Sequence, residues 1–233
     1  MYCTLKTGNI FTSSCQTIVN TVNCVGVMGA GIAYEFRLRE PQMYEAYKKL
    51  CDQKALDIGK LWIYNSNNKV FNYQKILNFP TKRNWKYPSK EEYLYKGLEK
   101  FVSTYKEKNI TSIAFPLLGA DKGGIKPIKS LEIMKSYLEK CDINIEIWKF
   151  DPTAKDDLYE KFVDIFSKID IERIKLDTKI DLGKLKLIET SFLDKNINSI
   201  SGLLKIKGIG EKTLEKLFNY IINFDTRQKS LFD

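Results

Sequence analysis

The chain has 233 residues, enough for one good-sized domain with an appendage, and its apolar fraction of 43% can supply a core. There is no histidine, which excludes Ser–His and Cys–His nucleophile pairs and His-ligated metals; any acid, base or nucleophile comes from Asp, Glu, Lys, Tyr or Cys. A formal charge of +9 suits a polyanionic partner such as nucleic acid, although biased codon usage in a Lys-, Ile- and Asn-rich chain gives the same number.

Residues 1–6 alternate apolar and polar and predict a strand. Gly8-Asn9 then opens a loop carrying Thr12, Ser13 and Ser14. Residues 17–23 predict the next strand, which feeds a turn dense in glycine (Gly26, Gly29, Gly31) before a helix over 32–39. Such a turn lets backbone N–H groups approach a ligand at a helix N-terminus, the recipe for a diphosphate cradle. A tight turn whose glycines serve packing alone has the same spelling, and the residues leave both readings open.

Pro41 stops that helix and starts a second, to about residue 51, with Met43, Ala46, Tyr47 and Leu50 on one face. Two β-rich runs follow at 60–64 and 69–78. The stretch 78–89, NFPTKRNWKYPS, reads as a loop. Ser89 with Glu92 three residues on predicts a capping box and a long helix to about 108. A buried-type strand at 113–117 runs into a second glycine loop over 119–124. A helix over 128–140 and a strand over 143–150 complete the region.

Strands interleaved with helices predict an α/β fold with a mixed, largely parallel sheet covered on both faces. Both glycine loops follow strand C-terminal ends, where open α/β sheets bind ligands. The two loops therefore line one pocket, with residues 79–85 as its third wall. After Asp151-Pro152 the composition shifts. Residues 1–152 hold 23 Lys/Arg against 15 Asp/Glu, and residues 153–233 hold 15 against 14. The expected division is an α/β domain over 1–152 and a small all-α region over 153–233, with helical spacing at 157–169 and 200–223.

Cys3, Cys15, Cys24, Cys51 and Cys141 are odd in number and form no CxxC. Reduced thiols in a cytoplasm are expected, with no disulfide framework, metal or cofactor. No apolar run is long enough to span a bilayer, and no basic-then-apolar leader precedes the first strand.

The α/β region resembles the macro domain, the module that binds ADP-ribose, a three-layer α/β/α fold. The likeness rests on GNIF (8–11), IVNTVNCVGVMGAGIAYEF (18–36), NFPTK (78–82) and PLLGADKGG (116–124), and covers about residues 1–150. The VNTVNCVGVMGAGIA string and the NFPTK loop resemble the DarG subgroup, antidotes of DarT–DarG toxin–antitoxin pairs. DarT attaches ADP-ribose to thymine in single-stranded DNA and DarG removes it. The resemblance implies that Gly8, Asn9 and Ile10 lie near the adenine, where many macro domains have Asp in place of Asn9. It implies that Asn23 sits beside the distal ribose, that Gly29, Ala30, Gly31 and Ile32 wrap one side of the diphosphate, that Gly119, Ala120, Asp121, Lys122 and Gly123 close the other, and that Val27, Met28 and Leu118 belong to the ADP-ribose-binding set. Thr81 joins the ligand-binding set, and Lys82 reaches the anomeric carbon.

The residue types suit that chemistry. Breaking an N-glycosidic bond needs a group that captures or steadies a cationic sugar carbon. A lysine with lowered proton affinity serves as nucleophile or as acid, and a nearby carboxylate steadies the cation. Lys82, Asn23 and Asp121 are the catalytic candidates. A solvated lysine in a basic loop and an ordinary loop aspartate are the plainer alternatives. Arg83, Trp85, Lys86 and Tyr87 alternate charge with aromatic rings, as single-stranded nucleic acid favours, unless Trp85 packs under the loop.

In the tail, residues 200–222 resemble a helix-hairpin-helix, which points backbone N–H groups at DNA phosphates. Gly208, Gly210 and Lys212 are the implied contacts, against a plain helical pair with a glycine turn. Residues 228–233, QKSLFD, resemble a peptide that docks on the bacterial sliding clamp through Gln228 to Phe232. The function expected is removal of ADP-ribose from DNA bases, with ADP-ribose, modified single-stranded DNA and a DarT-like toxin as partners. Deacylation of protein-linked ADP-ribose esters, non-catalytic reading of ADP-ribose and toxin binding as an immunity protein are the rivals.

Overall fold

A computed structural model describes residues 3–67, 70–154 and 156–224, and the chain divides into two units, Met1–Pro152 and Thr153–Asp233. In the first unit six strands form one sheet: β1 (Cys3–Gly8), β2 (Thr17–Asn23), β3 (Trp62–Asn65), β4 (Lys75–Lys82), β5 (Ser112–Pro116) and β6 (Asn144–Phe150). Their spatial order is β1-β6-β5-β2-β4-β3, and all neighbours run parallel except β3, which is antiparallel to β4.

Alternation along the central strand β2 supplies a core on both faces. Ile18 and Val22 pack with Met28, Phe36, Met43 and Tyr47 under helices α1 (Gly31–Arg39) and α2 (Pro41–Asp52). Val19 packs with Leu77, Leu98, Phe115 and Met134 under α3 (Glu91–Thr104) and α4 (Pro127–Leu138). This is the three-layer α/β/α arrangement expected. On the parallel strands the C-terminal ends, Gly8, Asn23, Lys82, Pro116 and Phe150, share one edge.

Two local expectations fail for physical reasons. NFPTK is not loop: β4 continues through Lys82, with Phe79, Pro80 and Thr81 buried. The antiparallel partner β3 stops pairing at Asn78, so beyond it β4 has β2 alone beside it, and a proline without an N–H is tolerated there. The capping box does not form either. Helix α3 starts at Glu91 with Lys90 as its N-cap and no side-chain cap, so Ser89 lies one residue too early. Its backbone N–H donates to the Gly123 carbonyl (2.8 Å), and its Oγ is buried without a partner. The helix also ends at Thr104, short of residue 108.

The second unit holds α5 (Tyr159–Lys168), α6 (Ile171–Thr178), α7 (Leu182–Ser191) and α8 (Glu211–Ile222). Phe162, Phe166, Phe192 and Phe218 form its aromatic centre. Sequence patterning does not reveal helices α6 and α7, although Asp170 and Asp181 cap them. The first arm of the expected hairpin is a five-residue 3-10 turn, Ser201–Lys205, and not an α-helix. The Gln228–Phe232 peptide lies outside the described residues. Among the described residues no helix is long and apolar enough to cross a membrane.

Candidate functional site

Asn23 and Lys82 end neighbouring parallel strands. Register runs evenly to Val22 opposite Pro80, then shifts, so that Asn23 faces Lys82 and Thr81 is the extra residue. Unbroken register would have put Thr81 opposite Asn23. Side chains alternate along a strand, so the bulge re-aims the lysine.

Asn23 is buried and its amide is committed to the first glycine turn. Oδ1 accepts from the backbone N–H of Val25 (3.0 Å) and Val27 (3.3 Å), and Nδ2 donates to the Val27 carbonyl (2.5 Å). The Tyr47 hydroxyl donates to the Asn23 carbonyl (2.7 Å) and lies 3.1 Å from Oδ1. Asn23 therefore shapes the turn that it precedes.

The turn leads into α1, whose N-cap is Ala30, a residue with no side-chain acceptor to offer. Gly31 has φ +57°, and a Cβ there would meet nothing within 4 Å. The helix start thus presents amide groups with room in front of them, as a diphosphate needs. Gly29, Ala30, Gly31 and Ile32 are all part of this open start, and Val27 is exposed beside them. Met28 has its side chain wholly buried in the core, so that its main chain alone is left to face the groove.

The second glycine loop lies against the same cluster. Lys82 Nζ donates to the Lys122 carbonyl (2.5 Å). Burial lowers the proton affinity of this lysine from the ordinary 10.5. Gly119 has φ +66°, and a Cβ on it would come within 2.8 Å of Ile125 Cδ1. Asp121 is exposed and also takes a positive φ, +45°. Gly123 packs so tightly that a Cβ would lie 2.8 Å from Ser89 Oγ. Leu118, like Met28, is a buried core side chain. Ala120 and Gly123 are buried and Lys122 is exposed.

The intervening loop is fastened to both. Cys24 N–H donates to the Arg83 carbonyl (3.2 Å), and Ser89 N–H to that of Gly123. The three walls expected from sequence are therefore one connected structure.

At the far side of the sheet edge, Gly8 pairs with Phe150. Asn9 caps a short 3-10 turn, Ile10–Thr12, its side chain accepting from Phe11 N–H (3.0 Å), and Ile10 is buried. The Phe150 ring is exposed here. Neither Phe150 nor Tyr47 figures among the site residues expected from sequence; an aromatic closing an alternating strand was the available signal for Phe150. Behind this corner the buried Glu146 carboxylate receives Lys6 Nζ (2.5 Å), Ser13 Oγ (2.6 Å) and Trp148 Nε1 (2.9 Å). Burial pushes its pKa up, and the three donors outweigh that and hold it below the ordinary range.

Gly208, Gly210 and Lys212 belong to the other unit. Gly208 has φ +95°, Gly210 is the N-cap of α8, and Lys212 stands in its first turn. With Lys184 they line a depression of about 660 Å³.

Known proteins share this fold. The macro domain model matches residues 19–134. The macrodomain of Mycobacterium tuberculosis DarG is 36% identical with a TM-score of 0.60, and the match covers 63% of this chain and 96% of that one. The macrodomain of Thermus aquaticus DarG is 35% identical with a TM-score of 0.58, covering 64% and 98%. Among curated proteins, the Thermus aquaticus DNA ADP-ribosyl glycohydrolase is 37% identical over 145 residues, 62% of this chain and 40% of that protein. The chain thus spans about two-fifths of the length of that relative. Fold, glycine loops and relatives agree, and the chain belongs to the macro domain family.

Proposed function

We propose that the protein removes ADP-ribose from ADP-ribosylated DNA bases, with thymine in single-stranded DNA as the substrate. The observation that carries this reading is Lys82, a half-buried amine of lowered proton affinity opposite Asn23 and hydrogen-bonded to the second glycine loop. The relatives named DNA ADP-ribosyl glycohydrolase support the substrate class. A Thermosipho africanus relative is a fusion of DNA ADP-ribosyl transferase and glycohydrolase, which supports a DarT-like enzyme as the source of the substrate.

In this reading the bond from the anomeric carbon to the base nitrogen breaks. The base leaves with the electron pair and takes up a proton, and a water oxygen joins the carbon. Lys82 acts either as ammonium, handing the nitrogen its proton, or as amine, holding the carbon until water displaces it. Both require Nζ to leave the Lys122 carbonyl. The amides at residues 29–32 and 119–123 hold the diphosphate. Asp121, the acid of the second loop, steadies the cationic carbon, and Phe150 offers its ring to the adenine beside Asn9.

The test is release of ADP-ribose from a thymine-modified single-stranded oligonucleotide. Lys82→Ala is expected to slow it by about 100-fold or more, with ADP-ribose binding retained in calorimetry. Unchanged release would remove the assignment. Protein-linked ADP-ribose esters, assayed side by side, test the deacylase reading. Tight ADP-ribose binding with no product on either substrate would make the protein a reader.

For the helical unit we infer binding to DNA phosphates at the 208–210 turn. Gly210 has an ordinary φ of −105° and open space where a Cβ would be, so packing within the chain does not demand glycine there. Glycine suits a helix N-cap in its own right, and here it also leaves the backbone open to a ligand. Gly208→Asp with Gly210→Asp is expected to weaken DNA binding. Docking of Gln228–Phe232 on a sliding clamp is tested by pull-down with and without that peptide.

A further inference from the structure

The loop between β4 and α3 exposes two large rings, Trp85 (52% exposed) and Tyr87 (67%). Among the described residues no other aromatic ring lies against either; Lys86 Nζ sits over Trp85, 5.5 Å from its centre. Neither ring serves a core, so the plainer reading, a tryptophan tucked under its loop, does not hold.

The loop that carries the rings is nevertheless held. Asn84 Oδ1 accepts from Lys86 N–H (3.0 Å) and the Asn84 carbonyl from Tyr87 N–H (3.2 Å), which closes a tight turn. The Cys24–Arg83 and Ser89–Gly123 hydrogen bonds fix the loop at both ends to the two glycine loops. Arg83 is paired with Asp57 (2.7 Å), which helps to fasten the loop. The acid that meets this loop is thereby neutralised, while Lys86 and Lys90 stay exposed and Lys82 lies three residues from Trp85. Three residues span at most about 11 Å of chain.

Flat, exposed rings on a fastened loop, set among cations, fit an unpaired polyanion whose bases are open to stacking. A duplex hides those faces. We propose that Trp85 and Tyr87 stack on unpaired bases next to the modified nucleotide, so that this site favours ADP-ribose carried on single-stranded DNA over the same group on a lone nucleoside. The inference rests on the proposed glycohydrolase reading for its substrate, and on the loop alone for the strand.

Two measurements separate these. The first is anisotropy of a labelled, unmodified single-stranded oligonucleotide with the full chain, which needs no turnover. Trp85→Ala with Tyr87→Ala is expected to weaken binding on the order of fivefold or more per ring, with the melting temperature unchanged, and Trp85→Phe to retain it. The second is kcat/KM on an ADP-ribosylated oligonucleotide against the ADP-ribosylated nucleoside. The double variant should fall on the oligonucleotide alone. Equal loss on both substrates, or oligonucleotide binding unchanged by the double variant, overturns the proposal. Absence of turnover by the wild type on either substrate, with ring-dependent binding intact, overturns the glycohydrolase reading and leaves the strand surface standing.

Discussion

The Tyr47 hydroxyl reaches from the buried face of α2 to the carbonyl and Oδ1 of Asn23, and through Asn23 to the turn over 24–27. Sequence periodicity assigns Tyr47 to a helical apolar stripe, because the stripe accounts for its ring and says nothing of an oxygen whose partner lies 24 residues earlier. Tyr47→Phe keeps the ring and removes the oxygen. The expected cost is about 1–2 kcal/mol in urea unfolding. Turnover is expected to drop about tenfold or more, since small displacements of reacting groups are costly. The motif singles out Lys82, and its lowered proton affinity comes from burial, which no motif states. The limb of the pH–rate profile that Lys82 sets is expected below pH 10.5, the ordinary lysine value. It rises with pH if the amine attacks and falls if the ammonium donates. A profile of kcat/KM from pH 6 to about 10 distinguishes them, and Lys82→Ala should lack the limb.

The strands and helices of the α/β region were legible because periodicity and breakers agree there. β2 matches its expected span, and Pro41 both ends α1 and opens α2. Where prediction failed, a neighbour decided. Pro80 looked like loop until the early end of β3 opened a place for it, and Ser89 looked like a cap until Gly123 claimed its N–H. The two glycine loops, alike in sequence, differ in what they demand. Gly119 has both a left-handed backbone and a wall 2.8 Å from any added Cβ, whereas Gly31 has the backbone alone and open space. Gly31→Ala is therefore expected to cost about 1–2 kcal/mol of backbone strain and to weaken ADP-ribose binding out of proportion. Gly119→Ala should lose stability to strain and clash together. Thermal unfolding beside calorimetry with ADP-ribose separates the two patterns.

At the scale of the whole molecule, the charge balance marks the same boundary as the structure, with the positive excess on residues 1–152. Within the helical unit α5 and α8 were legible from their one-sided apolar spacing, whereas α6 is only eight residues long and α7 is weakly patterned. The 1–152 fragment has its own two-faced core and all of the site described on the sheet edge. It is expected to fold, to keep turnover on an ADP-ribosylated nucleoside, and to bind long single-stranded DNA less tightly than the full chain. Circular dichroism, turnover and a salt series of DNA affinities check this, the salt slope becoming shallower as the protein neutralises fewer phosphates.

The ties among the three site loops end on main-chain atoms: Lys82 Nζ on the Lys122 carbonyl, Cys24 N–H on that of Arg83, Ser89 N–H on that of Gly123. Every amino acid supplies a carbonyl, and all but proline an N–H. Position 122, whose side chain is exposed, can therefore drift while its carbonyl keeps the tie, whereas Ser89, packed against Gly123, and Arg83, paired with Asp57, have side chains that the frame also uses.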